Sequence, residues 1–168
     1  MAEQQTLIWK NPPFHLFLIW LAICLGIGVI EGMATSTSVA TWYVGLEKPW
    51  FNPPDWIFAP VWTTLYVLMA TAVWRIHGVV DNRLRQKAIA LFCLQLFFNA
   101  AWSVLFFTWH LIAIALVDIV LLWGSLLWTM GVFYRRDKWA GILLLPYWLW
   151  VSFAVVLNWQ LWILNPAG

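Results

Sequence analysis

Long apolar runs, separated by short polar or charged stretches, set the plan of this chain. Twenty residues without a formal charge lie between Lys10 and Glu31, and 19 between Asp55 and Arg75. Ala88 to Val117 adds 30, the interval between Asp118 and Arg135 adds 16, and Trp139 to Gly168 another 30. A helix needs about 20 predominantly apolar residues to cross a hydrocarbon core roughly 30 Å thick. The first, second and last runs each fit one span. The run from Ala88, joined to the next and broken only by Asp118, fits two, with a turn at Thr108-Trp109-His110. The pattern predicts helices over about 14–34, 56–75, 88–108, 111–134 and 140–163. These runs are apolar on all sides, whereas membrane β-strands alternate over about ten residues. The expected fold is an all-α membrane bundle of five transmembrane helices in a single domain, 1–168.

Composition agrees: 64% of residues are hydrophobic and 10% charged, against about 45–50% and 25% in soluble domains. That excludes a soluble enzyme, a disordered chain and a disulfide scaffold. The basic residues fix an orientation. With five spans, Lys10, Arg75, Arg83, Arg85, Lys87, Arg135, Arg136 and Lys138 fall on one side, and Lys48 alone on the other. The positive-inside rule then puts the N-terminus in the cytoplasm and the C-terminus outside. The net charge of +2 reflects this arrangement, and no basic patch suggests nucleic acid. No signal-peptide pattern precedes the first span. Cys24 and Cys93 fall mid-span and are read as packing residues. His15, His77 and His110 are read as interfacial, and no Cys/His pair has metal spacing.

Polar residues inside the spans narrow the search, because such groups usually face the bundle interior or a cavity. Gln95, Asn99 and Ser103 form one stripe at i, i+4 and i+8, with Trp102 beside it. They are either a cavity wall or interhelical hydrogen-bonding groups. Asp118 is read as a structural hydrogen-bond partner, and Glu31 as an interfacial residue near the end of the first helix. Gly28 and Gly32 make a GxxxG pattern that permits close packing within one subunit or between two.

The segment Trp42 to Trp56 holds three prolines, a glycine at 45 and five aromatic rings including Trp50. It cannot be regular helix, and its rings suit a lid over the bundle mouth or an interfacial girdle. Trp62 and Tyr66 share a face of the second helix. Tyr147, Trp150, Ala154 and Leu157 share one on the fifth. Together with the polar stripe, these faces suit a flat, mostly apolar ligand, or ordinary packing of large side chains.

At these residues the chain resembles the TspO/MBR family of tryptophan-rich sensory proteins and mitochondrial translocator proteins (peripheral-type benzodiazepine receptors). The matching stretches are Trp42-Tyr43 through Leu46-x-Lys48-Pro49; Asn52-Pro53-Pro54-x-Trp56; Pro60-Val61-Trp62-Thr63-x-Leu65-Tyr66; Gln95-Leu96-x-x-Asn99-x-x-Trp102; Ala115-Leu116-Val117-Asp118; and Pro146-Tyr147-x-x-Trp150-x-x-Phe153-Ala154-x-x-Leu157-Asn158. The resemblance implies five transmembrane helices whose first loop caps a ligand cavity. It implies binding of porphyrins such as protoporphyrin IX and haem, of sterols in some members, and frequent homodimers, with no required cofactor. Carried over, Trp62 and Trp150 contact the porphyrin, and Trp50, Tyr66, Asn99, Trp102, Tyr147, Phe153, Ala154 and Leu157 complete the site. In some bacterial relatives the tryptophan pair is linked to light-dependent porphyrin breakdown. Two departures stand out. After Leu157-Asn158 comes neither the Tyr nor the basic residue of the mammalian cholesterol motif, and Ile114 stands where the mammalian drug pocket has a Trp.

The expected function is tetrapyrrole binding in sensing, transport or stress regulation. The alternatives are light- and oxygen-dependent porphyrin degradation, or a structural protein whose aromatics only pack. A cytoplasmic-type membrane is expected, although some bacterial relatives occupy the outer membrane.

Overall fold

The computed structural model describes residues 10–166. The leader reading rests partly on residues 1–9, which lie outside the described residues. Five helical spans are long and apolar enough to cross a membrane: Phe14–Ala40, Asp55–Ile76, Asn82–Thr108, Ile112–Arg136 and Lys138–Leu164. Among the described residues there is no strand. The protein is an all-helical, multi-pass integral membrane protein. Its helices are α1 (Phe14–Ala40), α2 (Phe58–Ile76), α3 (Asn82–Ser103), α4 (Ile112–Arg136), α5 (Lys138–Leu143) and α6 (Leu145–Leu164), the last two forming the fifth span.

The helix ends differ from the apolar limits for local reasons. α1 continues to Ala40, and its polar side chains bond back onto the helix. Thr35 Oγ1 donates to the Glu31 carbonyl at 2.8 Å, and Ser36 Oγ to that of Met33 at 2.9 Å. α3 begins at Asn82, not near 88, because the Asp81 carboxylate accepts from Leu84 N at 3.0 Å and caps the helix. Arg83, Arg85 and Lys87 therefore lie within its first turns. α3 leads into a π-helical turn, Val104–Thr108, and His110 reverses the chain at φ 59°. The fifth span breaks at Leu144, where Pro146 enters the first turn of α6; its missing N–H and its ring prevent an unbroken helix.

The larger core joins Leu65, Tyr66 and Met69 of α2, Phe92 and Leu96 of α3, Leu122 and Leu126 of α4, and Tyr147 and Val151 of α6. Cys24 is the fully buried residue of α1, so this helix lies at the bundle edge. Cys93, expected to pack, faces outward instead. A smaller core gathers Tyr43, Phe106, Ile112, Ala115, Leu157 and Leu161 at one end of the bundle. At the other end Arg75 pairs with Asp137 at 2.8 Å. Asp137 also caps α5, accepting from Trp139 N at 2.9 Å.

Candidate functional site

α1 turns Cys24, Gly28, Glu31 and Thr35 to one side, at i, i+4, i+7 and i+11. Gly28 lets the Tyr66 ring approach so closely that a Cβ there would lie 2.5 Å from Tyr66 Cε2. The Tyr66 hydroxyl thus reaches 2.8 Å from Glu31 Oε2 and 3.0 Å from Asn99 Oδ1. It has one proton to give, so it donates to the carboxyl when the Asn99 amide is turned to donate to it. Glu31 therefore faces inward, nine positions before the end of α1 and not near that end. The Asn99 amide also borders the Tyr147 hydroxyl.

All three members of the polar stripe are buried: Gln95 at 0%, Asn99 at 1% and Ser103 at 8% exposure. Several of the buried polar atoms here complete no hydrogen bond: both amide atoms of Gln95, the Tyr147 hydroxyl and Glu31 Oε1. An unsatisfied buried group of this kind costs about 1–3 kcal/mol. Asp118 is also buried, but its Oδ2 has no partner, contrary to its expected role as a hydrogen-bonding residue.

Aromatic rings cover this polar centre. Trp62 lies 5.5 Å from the Tyr66 ring and 6.0 Å from that of Tyr147. Trp150 meets Phe58 at 5.9 Å and Phe153 at 5.7 Å. Ala154 packs on the same cluster. Trp102 belongs to both cores. Its Nε1 donates to Asn158 Oδ1 at 3.0 Å while its ring stacks on Phe106 at 5.3 Å. Leu157 lies in the smaller core. Trp50 stands apart: its side chain is 95% exposed and its ring touches Phe51. Phe51, Phe58 and Glu31 were not singled out by the motifs. The i, i+4, i+7 register of Cys24, Gly28 and Glu31 is the signal that finds the last.

The loop between α1 and α2 is tied down at several points. Tyr43 is buried and donates its hydroxyl to Asn52 Oδ1 at 2.8 Å, with Lys48 Nζ 4.5 Å over its ring. Burial, helped by the Asp55 charge and opposed by the Asn52 bond, pushes the Tyr43 phenol up to about 12. Asn165 exchanges two hydrogen bonds with the Glu47 backbone, each 3.0 Å. Phe51 lies 6.2 Å from Phe153. Two cavities are lined by other residues. A groove of about 490 Å³ runs along α4 and α6 past Trp123 and Trp148. The other, of about 140 Å³, lies between α1 and the end of α3. Among the described residues no group of three or more His, Cys, Asp or Glu side chains could hold a metal.

A model of the TspO/MBR family matches residues 20–163. The chain belongs to that family. It is 43% identical over 154 residues to the tryptophan-rich protein TspO of Chlorobaculum tepidum, covering 89% of this chain and 98% of that protein. It is 37% identical over 155 residues to the tryptophan-rich sensory protein of Cereibacter sphaeroides, covering 92% and 94%. The human translocator protein is 37% identical over 124 residues, 72% of this chain and 73% of that one. The family match begins within α1 and ends one residue before the end of α6, so it takes in Glu31, the aromatic cluster and the loop alike.

Proposed function

We propose that this protein binds porphyrin or haem-type tetrapyrroles within the membrane and acts in their sensing or transport. The observation that carries the reading is the joint burial of Tyr66, Asn99, Tyr147 and Gln95 beside the half-buried Trp62, with polar atoms of Gln95 and Tyr147 that lack partners. A flat ligand with an apolar rim and a few polar groups is complementary to that arrangement: ring faces supply contact area, and the amide and phenol fix orientation. The names of the relatives, a sensory protein and a translocator protein, support a sensing or transport role. Ligand entry requires the rings of Trp62, Tyr147 and Trp150 to part, and the Phe51–Phe153 contact makes the loop the element that yields. The basic end of the bundle, with Arg75, Arg83, Arg85, Arg135 and Arg136, faces the cytoplasm.

The test is a titration of the purified protein in detergent with protoporphyrin IX in the dark, followed by Trp quenching and the Soret band. Aromatic contacts contribute about 0.5–1.5 kcal/mol beyond area, so Trp62→Phe or Trp150→Phe weakens binding by about two- to tenfold. Binding indifferent to both substitutions removes the tetrapyrrole from this site. Porphyrin loss under light and oxygen, dependent on the same tryptophans, identifies the protein as a degrader instead.

A further inference from the structure

We propose that Lys48 pairs with a carboxylate on the rim of the tetrapyrrole, so that the site favours ligands with free peripheral carboxylates over their esters. This role rests on the tetrapyrrole reading and assigns the ligand's charge to one side chain of the loop. An anionic ligand edge at this end of the bundle has one cation to meet. Of the nine Lys and Arg residues, Lys48 alone lies between the start of α1 and the last turn of α2. Arg75 lies 13 residues beyond Trp62 on α2, about 20 Å along the axis, and is paired with Asp137. Charges that far apart are largely screened, the Debye length being about 8 Å at physiological salt.

The neighbours of Lys48 hold it in place. Asn165 fixes the Glu47 backbone through both its N–H and its carbonyl, each bond 3.0 Å. Pro49 locks the next φ, and the Asn52 N–H donates to the Pro49 carbonyl at 3.0 Å. That turn carries Phe51, whose ring lies 6.2 Å from Phe153, and Phe153 in turn lies 5.7 Å from Trp150. Lys48 therefore stands on the turn that borders the aromatic cluster. Its Nζ sits 4.5 Å over the Tyr43 ring. A ring face attracts the charge but leaves the three N–H donors of the ammonium unspent. Glu47 and Asp55, the acids of the same loop, form no ion pair with it, and among the described residues it gives no hydrogen bond. The side chain is half-buried, yet Nζ is not among the atoms closed off from an occupant. A carboxylate can thus reach it from the loop side while the rest of the ligand lies against the rings.

The experiment is a two-by-two cycle on the full chain in detergent, in the dark: the parent and Lys48→Met, each titrated with protoporphyrin IX and with its dimethyl ester. Met keeps an unbranched stem against Tyr43 and removes the charge. Uptake of the two ligands into micelles differs, but it is the same for both proteins and cancels in the cycle. Lys48→Met is expected to weaken the acid about three- to fivefold, the upper range of an ion pair open to water, and to leave the ester unchanged. Lys48→Arg is expected to keep the parent's preference. Should Lys48→Met not fold, salt decides: affinity of the parent for the acid falls as ionic strength rises, and affinity for the ester does not. Equal losses of acid and ester in Lys48→Met overturn the proposal and leave Lys48 a clip on Tyr43; an acid affinity indifferent to salt overturns it as well. In both cases the parent still binds porphyrin and the tetrapyrrole reading stands. Saturable binding of neither ligand by the parent removes that reading, and the role of Lys48 with it.

Discussion

Gly28→Ala and Gly32→Ala form a matched pair on one helix. The new Cβ at Gly28 would sit 2.5 Å from Tyr66 Cε2 and 2.9 Å from Cδ2, whereas the one at Gly32 meets nothing within 4 Å. Ordinary contact begins near 3.4 Å, so the Tyr66 ring must retreat by about 1 Å. It is poorly placed to do so, being 2% exposed and held through its hydroxyl. Overpacking of this kind costs about 1–3 kcal/mol. The gain in helix propensity, about 0.8–1.0 kcal/mol, is common to both variants and cancels in their difference. Gly28→Ala should therefore be about 1–3 kcal/mol less stable than Gly32→Ala. The assay is reversible unfolding in mixed micelles with increasing dodecyl sulfate, followed by near- and far-UV circular dichroism. In a Tyr66→Ala background the difference should vanish, since the obstacle is that ring. Equal stability of the two variants, or a difference that survives Tyr66→Ala, refutes the assignment of Gly28 to packing within the subunit.

Three further outcomes are expected. Gly141→Ala would place a Cβ 2.7 Å from the Tyr134 backbone; backbone cannot yield as a ring can, so the loss reaches or passes the upper end of about 1–3 kcal/mol, read in the same unfolding assay. Asn158→Leu removes the bond from Trp102 Nε1 and the one given to the Ile112 carbonyl, both 3.0 Å, and should cost about 1–3 kcal/mol at membrane values per bond, with a change in near-UV dichroism from Trp102. Trp20 Nε1 donates to His77 Nε2 at 2.9 Å, a bond that needs the neutral ring. Burial, then the Arg85 charge, lowers the His77 value. Its stabilisation is thus complete above about pH 6.5 and declines as pH falls through that value toward the lowered folded one. Thermal melts from pH 8 to 5 should show the decline in the parent and a flatter profile in His77→Gln; parallel profiles refute it.

The spans were legible because length and continuous apolarity suffice for a helix in lipid, where every backbone group must bond within its own segment. Their ends were less so. The start of α3 depends on the Asp81 cap, and α1 runs on through a polar stretch whose hydroxyls bond back to carbonyls, neither of which an apolar count registers. The buried stripe of Gln95, Asn99 and Ser103 followed from a period of four, and the inward faces of Tyr66 and Tyr147 from i, i+4 and i, i+3 spacing. Those are properties of one helix, and the sequence by itself determined them. Which partner each face meets belongs to the packing of several helices. Only the tertiary structure decided that Gly28 admits the Tyr66 ring and that Glu31 points inward. It also set Trp50 outside while Phe58 meets Trp150. The physical reason is that periodicity fixes a residue's direction on its own helix, whereas the rotation of α1 against α2 and α3 is set by side-chain volumes from all three at once.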